Sequence, residues 1–271
     1  IYNHNMGKKA KIIAVVNNKG GVGKTMTAHN LSAALADKGK NVCMIDSDSQ
    51  HNLTNRCENK NRVEELQKRQ YRGLALEDYL SNPELAICPL EVKKNLYLIP
   101  STIELATYSA SLYHLGPNEN PSDKLKNFCN DLQEEVDFIV IDSEPGMGPL
   151  MVNATKAADL IIIPINCLDA LNGASEGVFG IMDNNNLNTS YYFLQTMYEN
   201  RLKSSRDIRC QLLEEARENT FSTFIKRNEY LNSAGNYGLD IFEHAPKSGG
   251  ASDYKYLASE VMSILKKQNK K

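Results

Sequence analysis

No two of the six cysteines, at 43, 57, 88, 129, 167 and 210, lie within four residues of each other. That excludes the close cysteine pairs of structural zinc sites and thioredoxin-like redox motifs. Six reduced thiols are expected, with Cys43 and Cys167 inside buried strands. No apolar run approaches the ~20 residues that span a bilayer, and the longest, 160–165, has only strand length. No charged-then-apolar leader opens the chain, so a cytoplasmic protein is expected. Net charge is also scarce: 31 Lys and Arg stand against 33 Asp and Glu, giving −2. The whole surface is therefore not a basic nucleic-acid binder. The asymmetry lies late in the chain. Residues 199–271 carry 13 basic against 10 acidic side chains, which leaves 18 against 23 for the rest. Any DNA contact belongs to the C-terminal third.

What is present is alternation. Short apolar runs at 11–16, 41–45, 96–99, 138–141, 160–165, 191–197 and 220–225 read as strands. Helical patterns lie between most of them, at 24–38, 103–115, 122–135, 149–157, 170–187, 203–218 and 251–267. Continuous apolar strands alternating with helices predict an α/β fold. The expectation is a mostly parallel twisted sheet of about seven or eight strands with helices on both faces. Residues 52–90 are the polar exception, densely charged over 58–72, and read as a surface insertion with short helices. Residues 1–10 read as an N-terminal extension, with 1–5 a foreign remnant before a native Met6, and 11–271 as one domain.

Between the first strand and the first helix stands Lys19-Gly20-Gly21-Val22-Gly23-Lys24-Thr25. Glycines permit tight turning and let backbone N–H groups approach phosphate oxygens, and the following helix adds its positive N-terminal end. Lys24 is placed to reach β- and γ-phosphates, and the Thr25 hydroxyl to ligate Mg²⁺. The general phosphate-loop pattern wants its first glycine where Asn18 stands, so this is a variant with an additional early lysine. It resembles the deviant Walker A motif of the ParA/MinD superfamily. In that family the early lysine, here Lys19, crosses a dimer interface to the partner's ATP. Lys19 has no carboxylate near it in the sequence, which is consistent with a role in trans.

Two further segments carry carboxylates. Ile45-Asp46-Ser47-Asp48-Ser49-Gln50 resembles the family's DxDPQ element, with Ser49 in place of proline. The resemblance implies that Asp48 positions the attacking water and that Asp46 and Asp48 shape the Mg²⁺ shell. Phe138-Ile139-Val140-Ile141-Asp142 looks like a Walker B strand, whose aspartate suits an Mg²⁺-bound water. Glu144 stands where the family often has proline; it either tunes hydrolysis or faces solvent.

The resemblance runs from residue 11 to 265. It includes Thr196-Met197-Tyr198-Glu199-Asn200-Arg201, similar to a TMYDxR stretch, and Ala245-Pro246-Lys247-Ser248-Gly249-Gly250-Ala251, similar to a late APxSxGA turn. It implies ATP held by residues 19–25, Met26 and Asp142, with Lys226, Arg227 and Asn228 on the base. It also implies non-specific DNA binding by an ATP-bound homodimer, nucleoid association, and a centromere-binding partner of ParB type. The matching basic positions are Arg201, Lys203, Arg206, Arg209, Lys226, Arg227 and Lys247, although Tyr230 replaces one usual arginine. Two alternatives share the phosphate site: a MinD-like membrane-associated ATPase, and a ParA-like protein that positions a non-DNA cargo. The tail after the last helix has no apolar anchor, which argues against the membrane.

Overall fold

The computed structural model describes residues 9–58, 75–114 and 120–268. The expectations for residues 1–6, for most of the charged stretch 58–72 and for the tail after residue 268 lie outside them. Seven strands form one sheet: β1 (Lys11–Val15), β2 (Val42–Ser47), β3 (Leu90–Lys93), β4 (Leu96–Ile99), β5 (Phe138–Ser143), β6 (Leu160–Ile165) and β7 (Ser190–Gln195). The order is β3-β4-β2-β5-β1-β6-β7, parallel throughout except for the β3–β4 hairpin. The expected α/β architecture is present.

The central strands are apolar on both sides because both sheet faces are covered. Ile12, Ala14 and Val16 point into one core with Ile139, Ile141, Ile161 and Ile163. Ile13 and Val15 point into the other, with Met44, Val140 and Ile162. The second core is closed by α1 (Lys24–Asp37) and the long C-terminal helix Gly249–Gln268, through Leu31, Leu35, Leu257 and Val261. The first is closed by Lys124–Leu132, Pro149–Ala157, Leu168–Glu176 and Val178–Asn184. Cys43 is buried as expected, whereas Cys167 is only half-buried, at the start of the third of these helices.

Two expectations are corrected, and one strand is new. The run 220–225 is not a strand; only isolated bridges join Thr220 to Phe193 and Lys226 to Tyr198. Side chains take its backbone groups instead. Arg209 donates to the carbonyls of Phe221 and Ser222, and the Glu260 carboxylate accepts from the N–H of Ser222 and Thr223. The helix expected over 170–187 is two helices, meeting at Gly177. A Cβ there would sit 3.0 Å from the Gly173 carbonyl oxygen and 3.2 Å from the Asn18 side chain. The antiparallel strand β3 begins where the expected insertion ends, and it was not among the expected strands. Its Leu90 and Val92 are buried while Glu91 is exposed, a four-residue alternation too short to stand out.

Strand β3 is tied to the rest of the molecule by charge. Its Lys93 Nζ lies 2.7 Å from Asp240, which is fully buried and caps the short helix Ile241–His244, and 3.1 Å from Asp37. Burial pushes the Asp240 carboxyl up, but the Lys93 ammonium outweighs it and holds it below its ordinary value. A carboxyl depressed in the folded state adds stability above its unfolded pKa of about 4, and that stability is lost as pH falls through the folded value. Asp240→Asn should therefore cost about 3 kcal/mol in urea unfolding at pH 7, with the deficit shrinking below about pH 4. An unchanged midpoint at pH 7 would show the pair to be solvated.

Candidate nucleotide site

The turn after β1 is set by two glycines in the left-handed region, Gly21 at φ 74° and Gly23 at φ 90°. Gly23 leads directly into α1, whose first residue is Lys24. Side chains from elsewhere fix the turn. Asn17, fully buried, donates to the carbonyls of Pro164 and Ala170 and accepts from the Lys19 N–H. Thr196 Oγ1 donates to the Val22 carbonyl at 2.8 Å, and Asn166 to that of Gly21. Lys24 folds back over the turn and donates to the Lys19 carbonyl at 3.1 Å. Burial lowers the Lys24 pKa, against the opposing pull of Asp142 and Asp48. Gly20, Gly21, Gly23, Lys24, Thr25 and Met26 all border one cleft of about 470 Å³.

The carboxylates meet this turn through sheet register. Strands β2 and β5 pair so that Asp46 lies opposite Asp142. Both are fully buried. Asp46 is satisfied within the protein: it accepts from the Thr54 N–H at 2.8 Å, from the Thr54 hydroxyl at 2.7 Å and from the Asp48 N–H at 3.2 Å. Burial still pushes its pKa up to about 6, against those bonds. Asp142 differs, for neither carboxylate oxygen has a hydrogen-bond partner among the described residues. Burial and the neighbouring Asp46 raise its pKa; the Thr25 hydroxyl and Lys24 only partly oppose them. Asp48 borders the cleft, with its Oδ1 accepting from the Gln50 N–H. Glu144 is half-buried rather than turned out to solvent, and burial together with Asp48 pushes it up to about 7.

Lys19 has no carboxylate near it in the sequence, but the fold brings a distant one to it. A carboxylate partner exists: its Nζ lies 2.8 Å from Asp169 in the first turn of Leu168–Glu176. The two are 150 residues apart in sequence, so no local pattern revealed the pair. Lys226, Arg227 and Asn228 do not border the cleft. Lys226 pairs with Asp253 and Arg227 with Glu199, while Asn228 caps the helix Glu229–Asn236. The cleft is also bordered by Asn52, Asn55, Arg56, Met197, Gly235 and Asn236. None of these was anticipated. The three from helix Asn52–Cys57 lay inside the segment read as an insertion.

A family model for an AAA domain, AAA_31, matches residues 10–189. The sporulation initiation inhibitor protein Soj of Bacillus subtilis is 32% identical over 93% of this chain and 98% of its own length. The chromosome-partitioning ATPase Soj of Thermus thermophilus is 33% identical, over 94% and 96%. The chain belongs to the ParA/Soj family of partitioning ATPases. Among solved structures, a Borrelia burgdorferi protein described as a plasmid partition protein, bound to AMPPNP, superposes with a TM-score of 0.79 at 24% identity. It covers 94% of this chain and 100% of its own, a likeness of fold.

The site of this ParA/Soj-family ATPase suits a magnesium nucleotide. A buried carboxylate with two unpartnered oxygens, beside a threonine hydroxyl and a lysine, is unfavourable alone and is relieved by a cation. Thr25 and Asp142 would hold the ion or its waters, and Lys24 the phosphates. A carboxyl raised in the folded state gives its full stability at low pH and loses it as pH rises through the folded value. Asp142→Asn should therefore stabilise the nucleotide-free protein at pH 7 by about 1 kcal/mol and flatten the decline with rising pH. Magnesium-dependent nucleotide binding should fall at least tenfold in isothermal titration. A variant less stable than the wild type without nucleotide would show that Asp142 is not under strain.

Proposed function

We propose that the protein is a nucleotide-switched DNA-partitioning ATPase, in which Mg-ATP joins two copies, the joined form binds DNA without sequence preference, and hydrolysis releases it. The observation that carries this reading is the unpartnered Asp142 carboxylate set beside Thr25 and Lys24 at the phosphate turn. Magnesium, when bound, neutralises phosphate charge. Lys24 then orients the β- and γ-phosphates, while Asp48 at the rim of the cleft orients the attacking water.

Lys19 is placed to leave its own subunit. Its partner Asp169 is 78% exposed, and an exposed pair of this kind holds only weakly. The phosphates of a facing subunit would present several negative charges in its place. Exposed basic residues of the C-terminal third supply the DNA-facing cations. Arg201, Lys203, Arg206, Lys226, Arg227 and Lys247 are exposed, and Arg209 is half-exposed. Glu199 binds both Arg201 and Arg227, so the patch on one subunit is partly neutralised. Two copies double it, and linked weak contacts strengthen steeply. Arg209 is the exception, because its guanidinium is engaged with the carbonyls of Phe221 and Ser222. It serves the fold before it serves DNA. Nucleoid association and stimulation by a ParB-type partner complete the proposed cycle. Among the described residues no helix is long and apolar enough to cross a membrane.

Two variants test this cycle. Asp48→Ala should bind ATP and accumulate as a dimer in light scattering with turnover reduced at least tenfold; rapid hydrolysis by that variant would remove Asp48 from the mechanism. Arg201→Glu should keep ATP-driven dimers and lose binding to a long non-specific duplex. In the wild type that binding should require ATP and fall with salt, by about 0.9 in log slope for each phosphate contacted. DNA binding unchanged by Arg201→Glu would place the patch elsewhere.

A further inference from the structure

One cation in the cleft is used by none of these steps. Arg56, in the helix Asn52–Cys57, is half-buried and borders the cleft. Its Nη2 donates to the Leu231 carbonyl at 3.0 Å, yet its buried Nε has no partner. No carboxylate closes an ion pair on it among the described residues. Burial lowers its pKa, against the opposing pull of Tyr254, Cys57 and Asp142. Its position depends on a glycine: a Cβ on Gly235 would fall 2.3 Å from the guanidinium carbon and 2.3 Å from Nη1. Only a bare backbone lets the planar group lie this close. Around it stand Asn52, Asn55 and Asn236 with Met26 and Met197, a mixture of amides and thioethers. Phosphate is already provided for by the turn and Lys24.

We infer that Arg56, seated on Gly235, is a nucleotide-contacting residue whose guanidinium forms the floor for the nucleoside half of the ATP. The inference rests on the nucleotide reading of the cleft and adds one contact to it. A delocalised guanidinium stacks on an aromatic face and offers donors in its plane. A purine meeting it is attracted without having to displace an internal ion pair. Lysine in the same place keeps the charge and loses the plane.

The test compares two probes on the full chain, ADP and inorganic tripolyphosphate, by isothermal titration. Arg56→Gln and Arg56→Lys should each weaken ADP by about tenfold and leave tripolyphosphate within twofold. Gly235→Ala, which keeps the arginine but displaces it, should show the same selective loss, and it carries the test if the Arg56 variants do not fold. Tripolyphosphate binding also reports that the phosphate turn is intact. Equal loss of both probes would overturn the inference, since Arg56 would then act on the phosphates or on the fold. ADP affinity unchanged in all three variants would overturn it as well. Failure of the wild type to bind either probe would instead refute the nucleotide reading beneath it.

Discussion

Two buried carboxylates face each other across adjacent strands, and much of the site follows from that constraint. The pairing of β2 with β5 sets Asp46 against Asp142, with both side chains fully excluded from water. Like charges so placed cannot both stay ionised cheaply. The protein resolves half of the problem internally, by giving Asp46 three donors from Thr54 and Asp48. It leaves the other half, Asp142, to whatever enters the cleft. The internal half also shapes the active loop. Ser101, two residues after β4, donates its hydroxyl to the Asp48 carbonyl and its N–H to the Thr54 hydroxyl oxygen. The helix carrying Arg56 is thereby fastened to the strand ends that carry the acids.

The chain announced its phosphate turn because that chemistry is local. Seven consecutive residues hold the glycines, the lysines and the threonine, and the neighbouring apolar runs mark the strand before and the helix after. The same locality made Asp46, Asp48 and Asp142 visible, since each follows an apolar run. Six of the seven strands were legible for this reason. Strand β3 was not, because its alternation lasts four residues and its anchor, Asp240, lies far along the chain. The segment 220–225 misled in the opposite direction. Its apolar content matches a strand, but Arg209 and Glu260 take the backbone groups that a neighbouring strand would need.

Long-range contacts account for the remaining differences. Asp169 reaches Lys19 across 150 positions, and Arg56 meets Gly235 across a similar interval. Neither partner carries a mark in its own neighbourhood. The base contacts assigned to Lys226, Arg227 and Asn228 rested on resemblance in a segment that departs from its pattern. In the structure those side chains are engaged with Asp253, Glu199 and the start of a helix.

The two rims of the sheet carry a consequence of their own. An open strand rim is a template on which another chain can extend the sheet, and aggregation follows from it. Here one rim is the four-residue β3, with Glu91 pointing outward and Lys93 drawn into an ion pair. Along the other, β7 is overlaid by an irregular run whose N–H and carbonyl groups are already occupied by Glu260 and Arg209. Neither rim invites strand addition. Copies of this protein crowded together along a polymer would therefore resist fusing into a continuous sheet, and any pairing between them is left to the surfaces around the cleft, where it can be undone.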